Sequence, residues 1–222
     1  MSFSLARGRP LDTTGYGLEM TDLPAFDPSD RAASRLDPRN WFTEPTGRFE
    51  IEIGSGKGTF LVQQAALREE VSYLGIEHAG EFYRYAADRV RRRRLANVRI
   101  LHADAAEFLH YYCADAVAAV IHVYFPDPWP KKRHHKRRIV QDRTLADFHR
   151  VLVDGGEVRL VTDHEGLWEW CEEHIARHAD LFDRRPFEAP ESAGENELVG
   201  TNYERKFARE DRPFHAMTLR KR

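Results

Sequence analysis

From Arg48 onward the chain switches repeatedly between two hydrophobic periods. Arg48 to Ile53 (RFEIEI) alternates apolar and polar residues and stops at the glycines of GSGKG, the signature of a strand. Thr59 then opens TFLVQQAALREE, whose apolar positions recur at helical spacing. SYLGIE, ending at Glu77, predicts a second strand, and Glu81 to Leu95 a second helix. VRILHAD, ending at Asp104, predicts a third strand, followed by a short helix through Phe108 to Tyr112. Ala116 to Phe125 (AVAAVIHVYF) is continuously apolar, as a strand covered on both faces should be. A helix over roughly 139–153, the strand EVRLVTD, a helix over roughly 164–179 and a last strand in FHAMTLRKR complete the series. Strands alternating with helices predict a doubly wound α/β fold with a mainly parallel sheet and helices on both faces. Residues 1–46 are rich in Pro, Gly and Asp without a sustained period, so they read as an irregular arm packed through Trp41 and Phe42 on a domain spanning 47–222.

In such sheets ligands bind beyond the carboxyl ends of the strands. Those ends carry Glu52 to Gly58, Glu77, Asp104, Asp127 and Asp163, an acid at each. The glycine loop EIGSGKGTF admits three readings. A phosphate-binding loop needs a glycine where Ile51 stands and a Ser or Thr where Gly58 stands. A dinucleotide fingerprint would have its third glycine at Thr59, and Glu52 would repel a pyrophosphate. A cofactor with adenosine, no phosphate and a positive end fits better, and S-adenosylmethionine is that molecule. Gly54, Gly56 and Gly58 let the backbone approach it, Glu77 suits the ribose hydroxyls, Asp104 the adenine amine and Glu52 the cationic methionine end.

Charge changes the picture through its clustering. The 222 residues carry 34 basic and 36 acidic side chains, a net charge of −2, so an anionic partner must be met locally. Phe125 to Arg138 reads FPDPWPKKRHHKRR. Prolines 126, 128 and 130 end the strand and hold the chain extended where Asp127 and Trp129 are presented. Six Lys or Arg and two His fill the next eight residues, a density that suits a phosphate backbone. His134 and His135 have no Cys or carboxylate at metal-ligand spacing, so no metal is expected. Trp129 could stack on an extruded base or brace the loop, and Arg91 to Arg94 could be a solvated helix face or touch RNA. Cys113 and Cys171 cannot form a disulfide framework or a zinc site alone, which fits a reducing cytoplasm. No apolar run approaches the ~18 residues of a membrane span, and no signal-peptide core is present.

EIGSGKGTF, GIE, NVRILHADA, FPDPWPKKRHHKRR, TDH and TNYERKF together resemble the bacterial tRNA (guanine-N7)-methyltransferases, over about Phe49 to Phe207. The resemblance implies a seven-stranded class I methyltransferase sheet with a final antiparallel strand. It also implies S-adenosyl-L-methionine as methyl donor, and guanine 46 of the tRNA variable loop as the methylated base. It implies cofactor contacts at Glu52, Gly54, Gly56, Glu77, Asp104 and Asp127, with Asp127 also catalytic. Lys131, Asp163, Thr201, Asn202, Tyr203 and Glu204 would contact the substrate, and Arg133, His134, His135, Lys136, Arg137 and Arg138 the RNA. No protein partner is required, and a monomer or homodimer is expected. The chain departs from the family pattern after GIE, where His78 to Arg84 replaces a Pro-Gly-containing stretch, and at Tyr203, where the family has Phe. The competing readings are a non-catalytic RNA-binding protein on a degenerate methyltransferase fold and a methyltransferase for another RNA.

Overall fold

The computed structural model describes residues 5, 8–44, 47–210 and 212–222; the expected domain boundary at 46 falls outside them. Its strands are β1 (Gly17–Glu19), β2 (Arg48–Ile53), β3 (Val71–Glu77), β4 (Val98–His102), β5 (Ala118–Tyr124), β6 (Leu152–Thr162), β7 (Phe182–Arg185) and β8 (His215–Lys221). They form one sheet in the order β1-β4-β3-β2-β5-β6-β8-β7. Neighbours from β1 to β6 run parallel, and β8 is antiparallel to both β6 and β7. The helices are α1 (Thr59–Leu67), α2 (Gly80–Arg92), α3 (Ala105–Glu107), α4 (Asp142–Val151), α5 (Glu165–Arg177) and α6 (Asn202–Ala208).

The sheet has one strand more than the seven expected, because the arm adds β1 to its edge. Gly17 and Glu19 lie opposite Ile100 and His102 of β4. Gly17 is required there: a Cβ would fall 2.6 Å from the Tyr83 hydroxyl. The arm is fastened a second time at Asp88, whose side chain is wholly buried on α2. That carboxylate takes both Arg9 guanidinium nitrogens, the Asp12 amide, Arg91 and Arg92. Burial alone would push Asp88 up; the donors outweigh it and hold the acid well below the usual carboxylate range. Phe42 is buried, and Trp41 packs 5.9 Å from Phe108, as the arm's aromatic residues suggested.

Alternation along the strands sends side chains to two separate cores. On one face Ile51, Leu74, Ile121 and Leu160 pack against Phe108, Phe148 of α4 and Leu167 of α5. On the other, Tyr73 and Ile100 pack against Phe60 of α1 and Ala86 and Val90 of α2. Glu50 and His122 are buried on the α1 side, where His122 bonds Glu50 at 2.8 Å and the Tyr124 hydroxyl at 2.7 Å. Among the described residues, no helix is long and apolar enough to cross a membrane.

Candidate active site

Parallel strands deliver their carboxyl ends to one rim of the sheet, and the acids singled out above emerge there. The glycine loop follows β2. Gly54, Gly56 and Gly58 all have positive φ, 76°, 53° and 64°, a conformation L side chains resist. Gly58 also admits α2, since a Cβ there would sit 3.2 Å from the Ala86 Cβ. Around Gly54 a Cβ would meet nothing within 4 Å, and at Gly56 the nearest side-chain atom is Tyr203 Cε2 at 3.8 Å. The loop therefore stands open above the first two glycines. Glu77, ending β3, accepts the Gly56 amide at 2.7 Å and the Ala79 amide at 2.8 Å, which ties the loop to the neighbouring strand.

Glu52 is the residue that asks for a ligand. It is 4% exposed, and its Oε2 has no hydrogen-bond partner among the described residues. Burial, reinforced by the negative Glu77, pushes its carboxyl well above the usual range. Ser55 Oγ, close to the Cβ position of Gly75 opposite Glu52, is likewise buried and unpartnered. Two orphaned polar atoms beneath an open glycine loop fit a bound molecule with a cationic, hydrogen-bonding end. Asp104 follows β4 and is exposed; among the described residues its side chain accepts the Glu107 amide alone, at 3.1 Å, which leaves its second oxygen for a ligand.

Asp127 is exposed and makes no hydrogen bond or ion pair among the described residues. The backbone beside it is strained on both sides: Phe125 has φ 49° and Trp129 φ 43°. Such conformations cost on the order of 1–3 kcal/mol each for residues with a side chain and persist only where surroundings enforce them. Phe125 donates its amide to Val161 at 2.8 Å and packs its ring against Phe207 and Phe214. Trp129 is braced: Arg137 lies 4.9 Å over its ring, and His134 meets it edge-on at 5.8 Å.

Beyond Pro130 the basic run closes into a 3₁₀ turn, Lys132–Arg137. Lys131, Lys132, Arg133, Lys136 and Arg137 are exposed and have no carboxylate partner among the described residues. His135 packs on Trp170 instead, ring centres 5.3 Å apart. Arg138 departs from the RNA-contact expectation. It is 4% exposed, turned inward against Trp170, and donates to the carbonyls of Pro128 and Gly166. Arg91 and Arg92 of α2 are likewise engaged, by Asp88 and Asp12.

The segment after β7 folds back over α1 to bring α6 to the rim. Thr201 caps α6 by accepting the Glu204 amide, and Glu204 is buried with its carboxylate on the amides of Leu198, Val199 and Gly200. Glu204 thus builds the loop rather than facing a substrate. Asn202 donates to Thr59 at the start of α1. Tyr203 is 48% exposed beside the glycine loop; partial burial and the negative Glu77 and Asp127 raise its hydroxyl. Asp163 closes β6 and accepts Arg212 at 2.7 Å. No periodicity announces α6 or the inward turn of Arg138; the Thr-x-x-Glu cap signature of Thr201 to Glu204 is the one local sign of the helix. Among the described residues, no cluster of His, Cys, Asp or Glu could hold a metal ion.

A mainly parallel sheet in which one late strand, β8, runs against both its neighbours, with an open glycine loop after the first long strand, is the architecture of a Rossmann-like methyltransferase. Solved structures agree on the fold: a 30S ribosomal A1408 methyltransferase from an uncultured bacterium aligns with TM-score 0.56 at 13% identity, covering 80% of this chain and 89% of that one. The aminoglycoside resistance methyltransferase NpmB1 aligns with TM-score 0.54 at 17% identity, over 80% and 88%. A family described as "Putative methyltransferase" matches residues 47–217. The chain is 37% identical to a tRNA (guanine-N(7)-)-methyltransferase of Rhodospirillum rubrum, over 78% of this chain and 68% of that protein. It is 32% identical to the one of Streptococcus mutans, over 77% and 80%. The chain belongs to the tRNA (guanine-N7)-methyltransferase family.

Proposed function

We propose that this protein transfers a methyl group from S-adenosylmethionine to N7 of guanine 46 in the variable loop of tRNA. The observation that carries this reading is the adjacency of two features on one rim. Asp127, exposed and without a partner among the described residues, follows β5, and five exposed cations likewise without carboxylate partners there follow it within ten residues.

When bound, S-adenosylmethionine supplies an electrophilic methyl on a sulfonium. Glu52 would hold its cationic end, Gly54 and Gly56 would let the backbone approach it, Glu77 would take the ribose hydroxyls and Asp104 the adenine amine. Guanine N7 already carries a lone pair, so no base is needed to remove a proton. What remains for the protein is alignment and charge. Holding two reactants in line is worth ~7–11 kcal/mol in well-oriented systems. Asp127 accepts from guanine N1–H and N2–H, fixing the ring, and its negative charge favours the cationic purine that forms. Lys131, Asp163 and the exposed Asn202 and Tyr203 border the base, with the buried Thr201 capping their helix. Arg133, His134, Lys136 and Arg137 meet the phosphates around it, with His135 behind them.

The test is incubation with isotopically labelled cofactor and unmodified tRNA, followed by nucleoside analysis. Label in 7-methylguanosine at position 46 supports the reading. Label in another nucleoside would reassign the substrate, and tRNA binding without label would favour a non-catalytic RNA-binding role.

A further inference from the structure

We propose that Arg138 is a positioning residue for the methyl transfer: its buried guanidinium latches the Asp127 loop to the first turn of α5 and makes no RNA contact. The inference rests on the assignment of Asp127 as the catalytic residue.

The loop needs such a latch because its sequence removes the usual ones. Prolines 126, 128 and 130 have no amide to donate. After the Phe125 amide bonds Val161, the next backbone–backbone bond is His134 to Lys131. Between them, among the described residues, segment 126–130 receives one hydrogen bond, from Arg138 Nε to the Pro128 carbonyl at 2.9 Å. Pro128 is the residue that follows Asp127. The other end of the guanidinium donates from Nη1 to the Gly166 carbonyl at 3.1 Å, and its Cζ lies 5.0 Å over the Trp170 ring of the same helix. Gly166 and Trp170 are four residues apart, so one face of α5 supplies both the acceptor and the platform.

Only arginine fits this arrangement. Its rigid fork addresses two carbonyls in different directions while its cationic centre lies over an indole; a single ammonium cannot do both. The neighbouring Arg137 shows the contrast. It is exposed, lies on Trp129, and has no carboxylate partner among the described residues. Two adjacent arginines in one basic run therefore divide the work, one outward to phosphate and one inward to the loop.

The experiment is Arg138→Lys in the full-length protein, read four ways. Thermal unfolding reports the fold, and titration with tRNA at several salt concentrations reports phosphate contacts. Single-turnover methylation at saturating tRNA reports chemistry. Limited trypsin digestion at Lys131 to Arg133 reports loop mobility without reference to activity. The latch predicts turnover reduced about 10²-fold, the scale for a displacement of roughly 1 Å at a reacting group. It predicts faster cleavage at Lys131 to Arg133 and, in Arg138→Gln, which removes the charge that lysine keeps, an unchanged salt slope. A salt slope flattened by about 0.7–0.9 in Arg138→Gln, with turnover of Arg138→Lys kept at saturating tRNA, would make Arg138 a phosphate contact and overturn the proposal. A lowered unfolding temperature with normal turnover and normal cleavage would make it merely structural and overturn it equally. Should Arg138→Lys not fold, Trp170→Phe, which shrinks the platform, is expected to speed cleavage and slow turnover in the same sense; no change in either overturns the latch. If the wild-type protein methylates no tRNA, the proposed function fails, and the digestion still decides the latch on its own.

Discussion

The Glu52 carboxyl lies 4% exposed beside Glu77 with one oxygen unpartnered, an arrangement that costs stability in the absence of a ligand. Its folded pKa stands above its unfolded value of about 4.3, so the folded state binds the proton more tightly. Stability is therefore lost as pH rises from that unfolded value through the raised one. Glu52→Gln removes the titration. The variant is expected to match wild type in urea unfolding at pH 5 and to be the more stable of the two at pH 8, because its amide carries no charge to bury. Calorimetry should show the same variant binding S-adenosylmethionine more weakly. A carboxyl that hinders folding but aids binding is there for the ligand; equal stability and equal affinity would remove that role. Asp127 is the opposite case, exposed and unpartnered, so Asp127→Asn leaves the unfolding curve in place. Turnover at saturating tRNA is expected to fall on the order of 10²–10³, as when one electrostatic contact to the reacting group is removed. A rate within threefold of wild type would exclude Asp127 from the chemistry.

At the scale of elements, the arm shows how a few charged residues can extend a sheet. β1 has three residues, too few to stand alone, and it stays on β4 because Asp88 gathers Arg9 and the Asp12 amide onto α2. Asp88→Asn leaves those cations around a neutral group. Breaking a buried pair costs about 3–5 kcal/mol, and the lower end applies because the guanidiniums reach water. Denaturant unfolding should show a loss of about 3 kcal/mol, and hydrogen exchange should speed up across 9–19. Because Asp88 is held below the usual carboxylate range, its contribution is complete above pH ~4 and drains away as pH falls below that, so the two proteins should converge in acid. The strands that pair in the sheet's centre were legible from their patterns, since RFEIEI and AVAAVIHVYF need six or more residues in register to bury one face or both. β1 and β7 were not, because GLE and FDRR are too short to carry a period, and their pairing is set by contacts more than 30 residues away in sequence. The same limit hid the site's inner members. Glu204 and Arg138 are polar residues among polar neighbours, and nothing in TNYERKF or KRHHKRR says which side chain turns inward. The acids at the strand ends and the glycine loop were readable because topology alone brings them to one rim.

Across the whole molecule, 34 basic and 36 acidic side chains nearly cancel, and the pairing pattern decides where charge is left over. Arginines at 9, 35, 39, 68, 91, 92, 150, 177 and 205 are matched to carboxylates. The run from Lys131 to Arg137 is not, among the described residues, and it stands beside Asp127. A protein of net charge −2 can therefore grip a polyanion at one rim while the rest of its surface stays neutral or repels it, which orients the tRNA as well as holding it. Phosphate contacts made there release condensed counterions, so affinity should fall with salt by about 0.7–0.9 in log K per log salt for each contact. Replacing Arg133, Lys136 and Arg137 together with Ala is expected to flatten that slope by roughly two to three units and to weaken tRNA binding at every salt concentration below the crossover. Affinity for S-adenosylmethionine should stay at the wild-type value, because none of the three lies on the glycine loop or at Glu77 or Asp104. Anisotropy titrations of labelled tRNA at four or five salt concentrations, with calorimetry for the cofactor, measure both quantities on one preparation. A slope unchanged in the triple variant would move the RNA face away from this turn, toward Lys206 and Arg209 at the far end of α6, which have no carboxylate partner among the described residues.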